Sequence, residues 1–514
     1  MELLNNIIDW ANGILWTYLL VAMLIGCALW FTIRCKFVQI RMLRHLPVMF
    51  RNRACRAQEE GLVRISSFQA FAISIASRVG TGNLAGVAVA IVLGGPGAVF
   101  WMWLIALLGA SSAFVESTLA QLYKIKGKSS FIGGPAYYMS KGLKKPWMGA
   151  IFSVLLIFTF GFAFNSVQSN TICQAFEEAF AIPPASMGTA LTLITLVIIF
   201  GGIQSIARVS SIIVPIMALG YIALALVVIA MNITAIPEVF GLIISHAFGW
   251  EQGLAGGLGA VIQQGIRRGL YSNEAGMGSA PNVAATADVS HPVSQGKVQA
   301  ISVFSDTLII CSCTAFIILV GGVPTGAEAN GIKLTQMALS QQIGPWGNMA
   351  VAIAIFFFAY SSVLGNYYYG EANVQYLSKK AWVLATYRII VAAMVFFGSV
   401  ASLQLVWNLA DLFMGLMTIC NLIAIVLLGK YAFRLLEDYR EQKRRGIAEP
   451  VFTKDKMPDI ADDLECWQNT KSTSYTQQND NKTHSHRVIG GCRSHFVHHH
   501  RAQNNIRHPT ASRA

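Results

Sequence analysis

Residues 77–86 read SRVGTGNLAG, a polar, glycine-rich stretch between the apolar runs FQAFAISIA and VAVAIVL. Its Gly80, Gly82 and Ala85 fit the Gly-x-Gly-x-x-Ala pattern of a dinucleotide-binding loop, which follows a strand and opens a helix. The stretch and its apolar flanks together have the length of a membrane-spanning helix. Two interpretations follow: a phosphate-binding turn in an enzyme, or an interruption in a membrane helix.

The composition favours the membrane interpretation. Of 514 residues, 54% are hydrophobic and only 12% are charged, whereas soluble domains contain about 25% charged residues. Apolar stretches of about 20 residues, the length that spans a bilayer, recur along the chain. We therefore predict an all-α polytopic membrane protein, because backbone groups in lipid must be satisfied within helices.

Eleven spans are predicted, and the charges between them give an orientation. The spans are 13–33, 67–93, 97–122, 148–172, 186–204, 210–232, 258–287, 297–320, 346–371, 383–403 and 405–429. Lys and Arg are frequent in the loops 34–66 and 123–147, and they are absent from 173–185 and 233–257. By the positive-inside rule the N-terminus lies outside and the C-terminus in the cytoplasm, as an odd number of spans requires. The net charge of +13 then reflects inner loops, and no nucleic-acid partner is expected.

Two of these spans are interrupted by polar, glycine-rich segments, at 77–83 and 271–282. They are five spans apart, so each begins a block of five helices, and the two blocks have opposite topology. Such paired interruptions indicate the binding site of a secondary transporter. The predicted organisation is an extra N-terminal helix and basic loop (1–66), a first repeat (67–232), an external connector (233–257), a second repeat (258–430) and a cytoplasmic tail (431–514).

A broken helix exposes backbone groups that suit a zwitterion and a cation. Free N–H groups near Thr81, Gly82 and Asn83 attract a carboxylate, and free carbonyls near Gly80 and Gly276 attract Na⁺ or an ammonium group. Glycines in a membrane helix are also explained by close helix packing. The occurrence of two polar breaks at repeat-related positions favours the binding interpretation.

Ionisable residues within predicted spans are candidates for function. Arg78 and Glu274 either pair across the two breaks, as a gate or a structural ion pair, or Arg78 faces the inner aqueous path. Glu116 is expected to act in helix packing or gating, and Arg267 and Arg268 to lie near an interfacial part of the seventh span.

Polar side chains on two other spans are candidate ligands. Gln168 is the preferred substrate ligand on the fourth span, beside Asn165 and Asn170, and helix–helix hydrogen bonding is the alternative for all three. Ser361 and Ser362 offer the oxygen ligands that hard cations prefer, and bonding to their own helix is the alternative.

Several longer motifs resemble the alanine/glycine:cation symporter family. They are SRVGTGNLAGVAVAI, GGPGAVFWMW, GGPAYYM, RRGLYSNEAGMGSAPNVAA and SDTLIIC. The resemblance covers roughly residues 10–465. It implies a LeuT-like 5+5 inverted repeat with one extra N-terminal helix, in the plasma (inner) membrane of a bacterium. It also implies uptake of alanine and glycine coupled to Na⁺, and sometimes to H⁺, without an organic cofactor.

The same resemblance assigns roles to individual residues. It implies that Thr81 and Gly82 bind the substrate carboxylate, that Gln168 lines the pocket, and that Ala275 and Gly276 meet the amino group or side chain. By analogy with the wider fold, Ser361 and Ser362 form a sodium site with the backbone near Gly80.

An ion channel and a membrane-bound, nucleotide-using enzyme are the alternative functions. An ion channel would repeat its filter around a symmetry axis, and a membrane-bound nucleotide-using enzyme needs a strand–turn–helix context. A transporter without enzymatic activity is therefore expected. After Cys466 the chain departs from the family and becomes polar and rich in histidine. A disordered, solvated tail is expected there, with metal binding as the alternative.

Overall fold

Apolar stretches form long helices that account for nearly all of the regular structure. The computed structural model describes residues 2–45, 65–127, 130–200, 203–248, 257–322 and 330–468. The first half contains α1 (Asn5–Arg34), α2 (Val38–Arg41), α3 (Ser67–Arg78), α4 (Gly82–Gly94), α5 (Ala98–Leu122), α6 (Pro135–Lys141), α7 (Pro146–Phe180), α8 (Pro184–Phe200), α9 (Ile203–Met231) and α10 (Ile236–Ala247). A two-stranded antiparallel ribbon, β1 (Ile125–Lys126) and β2 (Phe131–Ile132), precedes α6.

Within the described residues, the second half of the chain is also almost entirely helical. It contains α11 (Gly257–Asn273), α12 (Pro281–Ala284), α13 (Pro292–Gly321), α14 (Ile332–Ile343), α15 (Trp346–Leu377), α16 (Ala381–Val400) and α17 (Leu403–Arg444). Short 3₁₀ turns lie at Met42–His45, Lys454–Lys456 and Ala461–Asp463. Residues Met1–Trp467 form one unit. The tail predicted to be disordered after about residue 466, with its histidines, lies outside the described residues beyond Gln468.

Helices occupy all eleven positions at which spans are predicted. Within the described ranges, seven helices are long and apolar enough to cross a membrane, and nine if two sharply bent pairs are counted as single spans. The bent pairs are α3 with α4, at 51°, and the second part of α9 with α10, at 103°. The remaining two predicted spans are the 17-residue α8 and the polar, interrupted pair α11 and α12. The predicted all-helical polytopic class is confirmed.

The two predicted breaks are present and shorter than expected. The first comprises Val79–Thr81, between α3 and α4, and the second comprises residues 274–280, between α11 and α12. In the second break Glu274, Gly276 and Gly278 have positive φ angles of 56°, 85° and 90°. A helix cannot continue through such a backbone, and glycine adopts it at least cost.

Three segments are more ordered than the sequence suggests. The connector 233–257 contains α10, and Trp101 Nε1 on α5 donates a hydrogen bond of 3.0 Å to the carbonyl of Ala247. The last span is predicted to end near residue 430, yet α17 continues to Arg444. Residues 446–467 then fold back against the ends of other helices, and Trp467 Nε1 donates to the carbonyl of Leu122 at 3.1 Å.

Packing brings the breaks to the centre of the molecule. Helix α5 lies along both α11 and α13, and the second half of α7 lies along α15 and α16. Wide π-helical turns interrupt α4 at Gly82–Gly86 and α13 at Phe304–Cys311. Such turns are frequent at functional sites, and both of these face the first break.

Candidate functional site

The first break is shaped by Asn83, which closes the start of α4. The backbone N–H of Gly80 donates to Asn83 Oδ1 at 2.9 Å, and the N–H of Asn83 donates to the Gly80 carbonyl at 3.2 Å. The carbonyl of Gly80, expected to be a cation ligand, is therefore already bonded within the break. The backbone N–H and carbonyl of Gly80 are thus both bonded to Asn83.

Gly80 lies in close contact with side chains of two other helices, α7 and α15. A Cβ atom added there would lie 2.9 Å from Gln168 Oε1 on α7 and still closer to Ser362 Oγ on α15. Real Cβ atoms are essentially never found below 3.0 Å. Glycine is required here because the backbone itself forms the contact surface for both side chains.

The predicted anion-binding end of α4 is occupied by a side-chain oxygen. The backbone N–H of Thr81 donates to Gln168 Oε1 at 3.1 Å, and Thr81 Oγ1 lies 3.2 Å from the hydroxyl of Tyr271. All three residues are buried. The structure therefore brings together the predicted ligands Thr81 and Gln168, with the amide oxygen in the place expected for a carboxylate.

An oxygen-rich group of atoms lies on the other side of the break. Ser361 Oγ and Ser362 Oγ donate to the carbonyl of Ala76 at 3.3 and 3.1 Å, and Ser362 Oγ also lies 3.3 Å from the carbonyl of Val79. Both hydroxyls also contact the carbonyl of Phe358 on their own helix. Hydroxyl and carbonyl oxygens are the ligands that hard cations prefer, and the backbone carbonyls come from Ala76 and Val79.

The second break is held by side chains from other helices. The N–H of Ala275 donates to Asn273 Oδ1 at 3.0 Å. The N–H of Gly276 donates to Glu116 Oε1 at 3.2 Å, and Asn421 Nδ2 donates to the Gly276 carbonyl at 2.9 Å. In this structure the polar atoms of Gly276 are satisfied by Glu116 and Asn421.

Arg78 and Glu274 are not paired with each other among the described residues. Arg78 Nη1 donates to the carbonyl of Gln299 at 3.4 Å and to Ser302 Oγ, both on α13. Glu274 instead accepts hydrogen bonds from Ser77 Oγ at 3.2 Å and from Ser279 Oγ at 2.6 Å. Glu274 thus joins α3 to the second break through a serine, and Arg78 anchors α3 to α13.

Asp306 is a buried site residue that sequence reasoning did not select. Its carboxylate accepts hydrogen bonds from Asn83 Nδ2 at 2.7 Å, Ser272 Oγ at 2.6 Å and Thr307 Oγ1 at 2.9 Å. It therefore ties the first break to the end of α11. The motif SDTLIIC contains this aspartate, and the rule that flags ionisable residues within spans would have found it.

Further polar residues lie around this centre in supporting positions. Asn165 Nδ2 donates to Gly161 on its own helix, and Asn170 Nδ2 donates to Gly398 and Ala401, so these amides serve helix contacts. Arg268 forms an ion pair with Asp411 and lies over the ring of Trp407 at 4.4 Å. Arg267 also reaches Asp411, at 3.4 Å, and the pair of arginines is largely buried.

Aromatic rings connect this charged cluster with the first break. The ring of Tyr271, whose hydroxyl contacts Thr81, lies 4.5 Å from that of Phe164 and 4.6 Å from that of Trp407, between centroids. The rings of Phe164, Tyr271 and Trp407 therefore form a compact aromatic cluster beside the first break.

Comparisons with known proteins identify a family and several relatives. A family model described as "Sodium:alanine symporter family" matches residues 1–454. "Probable sodium/glutamine symporter GlnT" of Bacillus subtilis is 51% identical, over 93% of this chain and 99% of its own length. "Amino-acid carrier protein AlsT" of the same organism is 50% identical, over 91% and 98%.

More distant matches include an archaeal protein and a solved structure. "Sodium/alanine symporter AgcS" of Methanococcus maripaludis is 38% identical, over 82% of this chain and 94% of its own length. A crystal structure of MhsT in complex with L-phenylalanine is similar with a TM-score of 0.44 and 15% identity, over 73% of this chain and 98% of that one.

Proposed function

Because the chain belongs to the sodium:alanine symporter family, we propose that it carries small neutral amino acids, alanine and glycine, into the cell together with Na⁺. The family and its named members are symporters, so the activity is secondary transport and not channel conduction or enzymatic catalysis. The observation that carries the proposal is the first break, where a backbone N–H and a group of oxygen atoms lie on opposite sides of Gly80.

The substrate carboxylate would bind at the start of α4. There it would accept the N–H of Thr81, at which Gln168 Oε1 now lies, and the side chain of Gln168 would turn its amide N–H towards the carboxylate. The positive end of the helix dipole favours a negative group at this position. Gly82 and Asn83 would complete the carboxylate end, and the backbone of Ala275 and Gly276 would lie on the amino-group side.

The Na⁺ ion would bind between α3 and α15. Ser361 and Ser362 supply hydroxyl oxygens, and Ala76 and Val79 supply carbonyl oxygens. In this arrangement Gly80 itself contributes space rather than a ligand, because its carbonyl accepts the N–H of Asn83.

Coupling would follow from the short distance between these two positions. Val79 and Thr81, which would bind the cation and the carboxylate respectively, are separated only by Gly80. A cation that holds the end of α3 therefore also fixes the backbone that presents the N–H of Thr81. Each ligand would then increase the affinity for the other by the same factor, as linkage requires.

We also propose the plasma membrane of a bacterium as the location, with the N-terminus outside and the C-terminus in the cytoplasm. The support is the distribution of Lys and Arg along the sequence, because short cytoplasmic loops carry the excess of positive charge.

The test is uptake of labelled alanine into proteoliposomes that contain the purified protein. We expect accumulation with an inward Na⁺ gradient and none with an equal K⁺ gradient. A proton gradient applied without Na⁺ reveals any coupling to H⁺. Competition by unlabelled glycine, serine, glutamine and D-alanine ranks the substrates. Equal uptake with the Na⁺ and the K⁺ gradient would contradict the proposal. Inhibition by unlabelled glutamine, but not by glycine, serine or D-alanine, would contradict the proposed substrate class.

A further inference from the structure

We propose that Glu116 is a positioning residue that holds the second break in its unwound form, and that Asn421 and Tyr138 connect this break to the short helix α6. The inference rests on the proposed function, because the second break is where the amino-group side of the substrate is placed. It assigns a role to a buried carboxylate that contributes neither to the carboxylate site nor to the cation site.

The two oxygens of Glu116 have separate partners. Glu116 Oε1 accepts the N–H of Gly276 at 3.2 Å, and Glu116 Oε2 accepts Asn421 Nδ2 at 2.8 Å. Asn421 Nδ2 also donates to the carbonyl of Gly276 at 2.9 Å. Glu116 and Asn421 therefore satisfy both polar backbone groups of one residue at the break. Glu116 and Asn421 are each 0% exposed, so these hydrogen bonds are shielded from solvent.

Hydrogen-bond partners for backbone groups are essential within a membrane. A backbone N–H or carbonyl that leaves the helix there costs several kcal/mol if it finds no partner. Gly276 has a φ of 85°, so its peptide groups point away from any helical partner. The unwound form of the break thus depends on Glu116 and Asn421, and without them the segment would relax towards other backbone conformations.

Side chains of two neighbouring helices also pack closely against Gly276. A Cβ atom there would lie 3.2 Å from Leu422 Cδ2 on α17 and 3.4 Å from Ser112 Cβ on α5. The hydrogen bonds come from the same two helices, Glu116 from α5 and Asn421 from α17. Helices α5 and α17 therefore close on the break from two sides, and they fix its position as well as its conformation.

A third contact extends this arrangement towards the loop between α5 and α7. Tyr138, on α6, donates its hydroxyl hydrogen to Asn421 Oδ1. Gly278 of the break lies against the same amide, because a Cβ atom there would be 2.8 Å from Asn421 Cγ. Any movement of α6 relative to α17 must carry Asn421 with it or break this bond. Tyr138 is therefore placed to transmit opening of one end of the molecule to the second break.

The number of acceptor atoms explains why a glutamate, and not a glutamine, is suited to this position. Both oxygens of Glu116 accept hydrogen bonds, because both of its partners here are donors. In Glu116→Gln one oxygen becomes an NH₂ group, which must face either Gly276 N–H or Asn421 Nδ2. One hydrogen bond is then replaced by two opposed donors, although the size of the side chain is unchanged.

The experiment measures transport kinetics of three variants in proteoliposomes. Glu116→Gln should raise the KM for alanine about tenfold or more, the equivalent of one lost hydrogen bond. Its maximal rate and its half-saturating Na⁺ concentration at saturating alanine should stay close to wild type. Tyr138→Phe should do the reverse, with an unchanged KM and a reduced maximal rate. Glu177→Gln, the same change at an exposed position of α7, is the matched control.

The outcomes separate the inference from the function on which it rests. Wild-type protein without Na⁺-dependent alanine uptake would contradict the proposed function, whereas active wild-type protein with an unchanged KM in Glu116→Gln would contradict the inference alone. If Glu116→Gln impairs the KM and the maximal rate to the same extent and also lowers the unfolding temperature, Glu116 has only a structural role and the inference is wrong. If Glu116→Gln does not fold, Asn421→Ala removes the other half of the arrangement and must raise the KM in the same way.

Discussion

At the scale of single residues, Gly80 determines how closely the two binding positions approach each other. Its missing side chain lets Gln168 and Ser362 both reach the position that a Cβ atom would occupy. The motif around residue 80 was sufficient to predict the break and its glycines. It was not sufficient to predict Tyr271 or Asp306 as neighbours, because nothing local to a motif indicates which side chains of distant spans will meet it.

Gly80→Ala should abolish transport while the protein remains folded. The added methyl group would overlap Ser362 Oγ and crowd Gln168 Oε1, which forces both side chains out of position. Gly86→Ala is the matched control, because its Cβ atom would lie 3.6 Å from Trp407, an ordinary contact. Uptake of labelled alanine and size-exclusion chromatography check both. Normal uptake by Gly80→Ala would refute the close approach described for this residue.

Ser362→Ala should raise the Na⁺ concentration that gives half-maximal uptake by about tenfold, since one oxygen ligand of the proposed cation site is lost. Ser140→Ala serves as the comparison, because the hydroxyl of Ser140 bonds only to carbonyls of its own helix among the described partners. Sodium activation curves at saturating alanine measure the effect. If both variants need the same Na⁺ concentration for half-maximal uptake, Ser362 is not a ligand of the cation.

At the scale of helices, buried ion pairs connect elements that the two breaks would otherwise leave weakly joined. Arg268 on α11 and Asp411 on α17 are both almost fully buried. A break of seven residues follows α11, so its position depends on contacts of this kind. On the surface, by contrast, Arg434 and Asp459 pair at 2.8 Å with more than 40% of each side chain exposed.

Asp411→Asn should lower the free energy of unfolding by about 3–5 kcal/mol, because it leaves buried guanidinium groups without a carboxylate. Asp459→Asn removes the exposed carboxylate and should cost at most about 1 kcal/mol. Thermal unfolding of the purified protein in detergent compares the two. Equal shifts in the unfolding temperature would mean that Asp411 is not the partner on which α11 depends.

Hydropathy predicts the long apolar helices and not the shorter or more polar ones. Apolar runs of 20 residues gave the spans, and paired glycine-rich segments gave the breaks. Helices α10 and α14 were missed, because the first lies in a predicted connector and the second in a stretch too polar to be read as a span. The extension of α17 to Arg444 does not follow from hydropathy, because charged residues end the apolar run that defines a span. They mark only the end of the apolar part.

At the scale of the whole molecule, residues 446–467 contact the ends of several helices and connect them. The N–H of Phe452 donates to the carbonyl of Ser290 at 3.0 Å, next to the start of α13. His291 is fully buried there and its Nε2 lies 3.1 Å from Asp438 Oδ2. Burial lowers the pKa of His291 to about 4, and the nearby Lys456 and Lys297 act in the same direction, although Asp438 opposes them.

This pKa predicts a loss of stability in mild acid. An unfolded histidine takes up its proton near pH 6.5, whereas buried His291 does so only near pH 4. The unfolded state therefore binds more protons between these values, and stability falls as the pH decreases from about 6.5 towards 4. The unfolding temperature of His291→Asn should depend less on pH in this interval. An unchanged pH dependence would contradict the buried, neutral state of His291, and His246→Asn on α10 is the control.

The same segment determines where a reporter can be attached to this protein. Trp467 is buried and donates to the carbonyls of Gln121 and Leu122 at the end of α5, so the chain remains part of the folded unit for more than twenty residues after α17 ends. A fluorescent domain or purification handle placed after Trp467 keeps these anchors. A reporter joined directly to Arg445, in a shortened chain, would replace these anchors and report on a protein that lacks the contacts between Trp467 and α5.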